Sequence, residues 1–184
     1  MTRLISGEAR GRRLKVPASG VRPTGDRARE GLFNSLGSLV DLDGARVLDL
    51  YAGSGALGLE ALSRGATEVV LVESGPKVLP VLRDNVATVG LPGARVVAGS
   101  VPAVVAGPAP ADFDLVLLDP PYAVPVEEVL GVLGALAAGG WCAPDAVVVV
   151  ERSSREEPWP WPTPFTGLRD RRYGEAVLRY GRKS

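Results

Sequence analysis

Four consecutive residues, Asp119-Pro120-Pro121-Tyr122, carry the densest chemistry in this chain. They follow the apolar run Phe113 to Leu118, which reads as a buried strand. A carboxylate, two rigid prolines and an aromatic at a strand's carboxyl end suit a flat, amino-bearing ring such as a nucleobase. An exocyclic amine delocalises its lone pair into the ring and is a weak nucleophile. Two acceptors aimed at its hydrogens, the Asp119 carboxylate and the Pro120 carbonyl, localise that lone pair toward an electrophile. Pro121 restricts Pro120 and so fixes the carbonyl. Tyr122 can stack on the ring. The plain structural alternative is a strand-end turn, with Asp119 paired to an arginine and Tyr122 packed.

A second stretch, Asp49-Leu-Tyr-Ala-Gly53-Ser54-Gly55-Ala-Leu-Gly58, follows an apolar strand and opens a helix. Its glycines satisfy G-x-G-x-x-G, and Glu73 ends the next strand 18 residues after Gly55. Spacing alone fits a dinucleotide site. Asp49 points elsewhere, because a pyrophosphate at a helix N-terminus wants N–H groups and no adjacent carboxylate. A cofactor bearing an ammonium and a sulfonium, S-adenosylmethionine, benefits from that carboxylate. In this reading Gly53 and Gly55 let the backbone approach the cofactor. Glu73 accepts from the ribose hydroxyls, and Gly99-Ser100-Val101 lies beside the adenine. The structural alternative is a tight strand–helix turn with Asp49 capping something local.

The elements that must position these motifs alternate along the chain. Strands are expected at Val47 to Leu50, Glu68 to Val72, Arg95 to Ala98, Phe113 to Leu118 and Ala146 to Val150. Helices are expected at Leu57 to Arg64, Pro76 to Val89, Val101 to Ala106 and Val126 to Ala138. Continuous apolar strands separated by helices indicate a parallel sheet covered on both faces. Asp49, Glu73, Ser100 and Asp119 all fall at strand carboxyl ends, where such sheets bind ligands. Before this body, Ile5 to Val16 reads as a short hairpin. Thr24 reads as a cap for an amphipathic helix from Asp26 to about Val40. After it, Glu151 to Gly167, with Pro158, Pro160, Pro162, Pro164 and two tryptophans, reads as a stiff irregular loop or an interrupted helix. Leu168 to Tyr180 reads as an antiparallel hairpin around Gly174.

Composition removes several alternatives. With no histidine, Ser-His-Asp and Cys-His mechanisms and HExxH zinc sites are excluded. Cys142 is the only cysteine, so no internal disulfide forms and no cysteine zinc cluster is available; no metal site is expected. No apolar run reaches the roughly 18 residues of a membrane span, and the first residues lack the apolar core of a secretory signal; a cytoplasmic location is expected. The 184 residues carry zero formal net charge, but unevenly. Residues 1–30 hold eight Lys/Arg against three Asp/Glu, and residues 169–184 hold six against two, leaving the middle at −9. Two basic ends on an acidic body suit a polyanion-binding face; the alternative is a pair of solvated basic ends.

Other stretches narrow the reading. Arg3-Leu-Ile-Ser-Gly-Glu-Ala-Arg-Gly-Arg-Arg-Leu14, Arg22-Pro-Thr-Gly-Asp-Arg-Ala-Arg-Glu-Gly-Leu-Phe-Asn34, Gly53-Ser-Gly-Ala-Leu-Gly-Leu-Glu-Ala-Leu-Ser-Arg-Gly65 and Arg172-Tyr-Gly-Glu-Ala176 resemble the RsmD family. The likeness runs nearly the whole chain. It implies a Rossmann-like class I methyltransferase fold, with a mostly parallel seven-stranded sheet, a C-terminal antiparallel hairpin and a small basic N-terminal extension. It implies methylation of a guanine N2 in 16S ribosomal RNA, in a hairpin loop near the P site, on an assembled or assembling small subunit. By that resemblance Asp49, Gly53, Gly55 and Glu73 hold S-adenosylmethionine; Ser54, Ser100 and Val101 are read beside them as further cofactor contacts. Asp119, Pro120, Pro121 and Tyr122 hold the guanine, and Arg10, Arg12, Arg13, Arg22 and Arg27 touch RNA. Residues 1–40 would form the RNA-binding extension and 41–184 the catalytic domain, acting as a monomer. Ser100 departs from many relatives of the fold, which place an acidic residue there. Two competing functions remain on residues alone: a DNA adenine-N6 methyltransferase, for which Asp119-Pro-Pro-Tyr122 serves equally well, and an RNA-binding assembly protein without catalysis.

Overall fold

The computed structural model describes residues 1–18 and 25–184. The Arg22 and Thr24 expectations lie outside the described residues. Strands β1 (Thr2–Arg3) and β2 (Arg13–Leu14) pair antiparallel, and turns fill the chain between them. Helix α1 spans Asp26–Leu36. It ends four residues before Val40, and the N–H groups of Leu39 and Val40 fold back onto Leu36. Its N-cap is Gly25, with no side-chain cap.

The body follows the expected alternation: β3 (Arg46–Leu50), α2 (Ala56–Ser63), β4 (Glu68–Glu73), α3 (Leu79–Val89), β5 (Ala94–Ala98), α4 (Val101–Ala106), β6 (Phe113–Leu118), α5 (Val126–Ala138). It closes with β7 (Cys142–Ser153), β8 (Phe165–Tyr173) and β9 (Ala176–Lys183). The seven-stranded sheet has the order β5-β4-β3-β6-β7-β9-β8. Its first five strands are parallel, and β9 runs antiparallel to both its neighbours.

Two apolar clusters cover the two faces. One gathers Leu59, Leu71, Leu82, Leu178 and Tyr180 with Leu4, Ala9, Leu14, Leu32, Phe33 and Leu36 of the N-terminal extension. The other gathers Leu48, Leu50, Val70 and Val116 with α4, α5 and Trp159. The extension therefore shares a core with the body. No helix among the described residues is long and apolar enough to cross a membrane.

The proline-rich stretch is neither an interrupted helix nor wholly a loop. Glu151 to Ser153 extend β7, and Phe165 to Gly167 open β8. Between them Trp161 lies on the sheet where Gly167 and Gly181 leave room: a Cβ on either would sit 2.8 or 2.7 Å from the indole. Gly131 and Gly134 are the opposite case, exposed in α5 with open space beside them. Gly131→Ala and Gly134→Ala should each raise the unfolding free energy by about 0.5–1 kcal/mol, by removing unfolded-chain freedom. Gly181→Ala should lower it by about 1–3 kcal/mol through overpacking against Trp161. Urea titration of the three variants checks both signs.

Candidate active site

The carboxyl ends of β3, β4 and β6 open on one cleft of about 1020 Å³. It lies beside the point where the strand order turns from β3 toward β4 on one side and β6 on the other, where α/β sheets bind ligands. Asp49, Gly53, Ser54 and Glu73 line it together with Asp119, Pro120, Pro121 and Tyr122. Two motifs that begin 70 residues apart in sequence, at Asp49 and Asp119, thus face one space.

Asp49 is 1% exposed. Its Oδ2 accepts the Gly58 N–H at 2.9 Å, so the local cap considered from sequence exists, but it uses only one oxygen. Burial, aided by the nearby Glu73 charge and opposed by the Gly58 bond, pushes its pKa from an ordinary 3.8 up to about 8. A Cβ on Gly58 would fall 2.9 Å from Oδ2 and 2.9 Å from Val69, so the third glycine lets α2 approach both the strand and this carboxylate.

Glu73 spans the next strand end. Its Oε1 accepts from Gly53 N–H at 2.8 Å, and its Oε2 from Ser74 at 3.0 Å and Gly75 at 2.8 Å. Each carboxylate oxygen has two acceptor sites, so Oε1 retains one. Gly53 adopts φ +57°, which a side chain would resist.

Gly55 differs from expectation. It holds φ +85° at the start of α2, and its missing Cβ points at Leu82, Leu59 and Leu71. Its constraint is core packing rather than ligand approach. Ser100 and Val101 do not line the cleft. The Ser100 hydroxyl accepts from Ala103 N–H and caps α4, and Val101 is buried in the second cluster.

On the β6 side, Asp119 N–H donates to the Leu50 carbonyl at 3.3 Å, tying the loop to β3. Pro120 is buried, and Pro121 accepts from Val124 N–H at 2.9 Å to close a turn. Among the described residues no backbone N–H pairs with the Pro120 carbonyl. The Tyr122 hydroxyl reaches the Glu175 carbonyl at 3.5 Å.

Three wall residues escaped the sequence reading. Tyr51 takes φ +60°, uncommon for a bulky side chain, and donates its hydroxyl to Glu128 Oε2 at 2.8 Å. Burial, then Glu128, raises its pKa, so the hydroxyl stays a donor. Thr2 brings the extension to the cleft. Arg29 is fully buried. Its Nη2 donates to the Arg3 carbonyl at 2.5 Å, and its Nε lies 3.9 Å from Glu60. Among the described residues Nε and Nη1 have no hydrogen-bond partner, and burial lowers the guanidinium pKa against the pull of Glu60 and Asp26. The signal was present: Arg29, Leu32, Phe33 and Leu36 occupy one helical face, so a charge stands at a core position.

Arg10, Arg12, Arg13 and Arg27 are exposed and lie outside the cleft wall. Arg12 also donates to the Val89 carbonyl at the end of α3.

This donor set fits a zwitterionic nucleoside. Asp49 is a buried carboxylate suited to a cation, and Glu73 at the strand end keeps an acceptor position suited to a hydroxyl.

Comparison with known proteins agrees. The family model described as conserved hypothetical protein 95 matches residues 2–182. The chain is 43% identical over 150 residues to ribosomal RNA small subunit methyltransferase D of Escherichia coli (strain K12), covering 81% of this chain and 73% of that relative. It is 36% identical over 181 residues to the protein of the same name from Haemophilus influenzae, covering 96% and 91%. Among solved structures, the yhhF protein of Escherichia coli superposes with a TM-score of 0.87 at 36% identity, over 100% of this chain and 98% of that one. Magnesium protoporphyrin IX methyltransferase from Synechocystis PCC 6803, solved with bound S-adenosylmethionine, shares the fold at TM-score 0.67 and 14% identity, over 86% and 79%. The fold is that of the class I S-adenosylmethionine-dependent methyltransferases.

Asp49 yields a prediction with a definite sign. Its pKa is higher folded than unfolded, so the folded state binds the proton more tightly. Its contribution to stability is therefore complete below pH about 4 and is lost as pH rises toward about 8. Asp49→Asn keeps an acceptor for Gly58 but cannot ionise. The difference in unfolding free energy, variant minus wild type, should grow between pH 5 and 8 in denaturant titrations; a flat difference would show that Asp49 titrates normally.

Proposed function

The chain belongs to the family described as conserved hypothetical protein 95, the RsmD family, and on that premise we propose that it transfers a methyl group from S-adenosylmethionine to the N2 amine of a guanine in 16S ribosomal RNA. The observation that carries this reading is the shared cleft, with Asp49 and Glu73 on one wall and Asp119 to Tyr122 on the other.

S-Adenosylmethionine is the methyl donor; when bound, it supplies an electrophilic methyl on sulfur. Asp49 would hold its ammonium and Glu73 its ribose hydroxyls, and Lys77 lines the same cleft. The Asp119 carboxylate and the Pro120 carbonyl take the two amine hydrogens, which directs the nitrogen lone pair outward. Tyr122 stacks on the guanine. Positioning supplies most of the rate, and the proton leaves after transfer, to Asp119 or water. The base must leave its stack to reach the cleft. Residues 1–40 act as the RNA-binding extension of the catalytic body 41–184, with Arg10, Arg12, Arg13, Arg22 and Arg27 on phosphates. The substrate is the small subunit or an assembly intermediate, in the cytoplasm, and the protein acts as a monomer.

Incubation with labelled S-adenosylmethionine and under-methylated small subunits, followed by RNA digestion, should give N2-methylguanosine. Its absence rejects the guanine assignment, and label in duplex DNA instead would favour adenine N6. Asp119→Ala should cut kcat by about a hundredfold or more while calorimetric cofactor affinity is kept. Glu73→Ala should instead raise the cofactor KM about tenfold, the cost of lost charge-assisted hydrogen bonds. Binding to the subunit should weaken steeply with salt as phosphate contacts release counterions.

A further inference from the structure

The proline- and tryptophan-rich segment after β7 has no part in the site as described, yet it grips the substrate loop. Arg152, 2% exposed near the end of β7, donates through Nη2 to the Val124 carbonyl at 2.8 Å. Val124 is the residue whose N–H closes the turn on Pro121. One residue is thus held at both ends, by the loop itself and by Arg152.

The arginine is itself held. Its Nε lies 2.9 and 3.0 Å from the two Glu156 oxygens, and its Nη2 lies 2.5 Å from Oε1. The Trp159 indole N–H donates to Glu156 Oε2 at 3.1 Å. Trp159 in turn is fixed by the Arg179 guanidinium, 4.1 Å over its ring. Burial would raise the Glu156 pKa, but the bonds from Arg152 and Trp159 outweigh it and hold the carboxylate ionised.

The same segment reaches the loop a second time. Ser154 N–H donates to the Glu175 carbonyl at 2.8 Å, the oxygen that the Tyr122 hydroxyl also approaches. Beside the Asp119 N–H bond to Leu50, the loop is thus tied at Val124 to Arg152 and approached at Tyr122 by the Glu175 carbonyl that Ser154 also holds.

Stability alone does not explain such a pair. A buried ion pair gains little over apolar residues of similar volume, and it is most useful where it fixes one geometry. Here one guanidinium nitrogen, Nη1, is left without a partner, a further cost. What the pair fixes is the carbonyl of Val124, two residues past Tyr122.

We propose that Arg152, oriented by Glu156 and Trp159, is a positioning residue that sets the placement of the Asp119–Tyr122 loop and hence the alignment of the amine for methyl transfer. The proposal rests on the reading of that loop as the amine-holding element.

Arg152→Met keeps volume and removes every polar contact. In the full-length protein, kcat on small subunits should fall about ten- to a hundredfold, the scale of a misplacement near 1 Å, with cofactor affinity by calorimetry unchanged within about twofold. Amide hydrogen exchange over residues 122–126 should accelerate about tenfold or more as the local grip opens. Arg152→Lys, which retains one donor, should recover part of both. Trp159→Phe, which removes the N–H and reduces the ring under Arg179, should lower kcat a few-fold. A folded Arg152→Met protein with normal kcat or unchanged exchange at 122–126 overturns the proposal. If that variant does not fold, normal kcat in both Trp159→Phe and Glu156→Gln overturns it. Full activity in Asp119→Ala would instead overturn the amine-holding reading itself, so the two failures are distinguishable.

Discussion

The site depends on strand β3 having neighbours that are reached across opposite faces of the sheet. Helix α2 carries the chain from β3 to β4 over one face, against the cluster that also holds α1 and α3. Helices α4 and α5 cover the other face. Where the two directions part, the connections leave a gap above the strand ends, and no side chain of the core fills it. Strand register then decides what lines the gap. Asp49 pairs with Leu71 and Leu117, and Leu50 with Val72 and Leu118, so the motif residues that follow each strand emerge at one level. A one-residue slip would turn Asp49 to the opposite face and destroy the site.

Within that gap two carboxylates are managed differently. Glu73 accepts three backbone N–H groups, which draw the Gly53 turn against β4 and leave one acceptor position on Oε1. Asp49 receives a single N–H and is buried, so its charged form is costly until a cation arrives. One carboxylate builds the loop and the other is kept receptive. The division follows from Gly58, because any larger residue there would push α2 off β3 and open Asp49 to water.

The parts of this arrangement visible in the sequence were those with local signatures. Apolar runs marked all five parallel strands, and Asp49, Glu73 and Asp119 at three strand ends marked the rim. Strand lengths were less legible. Strand β7 extends well beyond Ala146 to Val150, because Glu151 and Arg152 are polar yet buried. Hydrophobicity cannot announce residues whose burial is made tolerable by partners distant in sequence, and Arg29 escaped for the same reason. Gly55 and Ser100 show the reverse limit. Their types and spacing matched a ligand-binding pattern, but packing against Leu82 and capping of α4 account for where they sit.

Buried arginines join the N-terminal extension and the segment after β7 to the cleft. Arg29 links the basic extension to the cleft through the Arg3 carbonyl and through Glu60. The Glu60 carboxylate also receives Ile5 and Ser6 N–H and Arg64 Nε. Arg152 links the C-terminal segment to the opposite wall. Each guanidinium bonds a backbone carbonyl, which constrains chain position rather than side-chain identity. Such contacts fix the Arg3 backbone and the Arg152 to Glu156 segment to the two sides of one cleft. Anything bound by the extension would therefore be registered against the Asp119–Tyr122 loop through the shared core rather than through contact between the two segments.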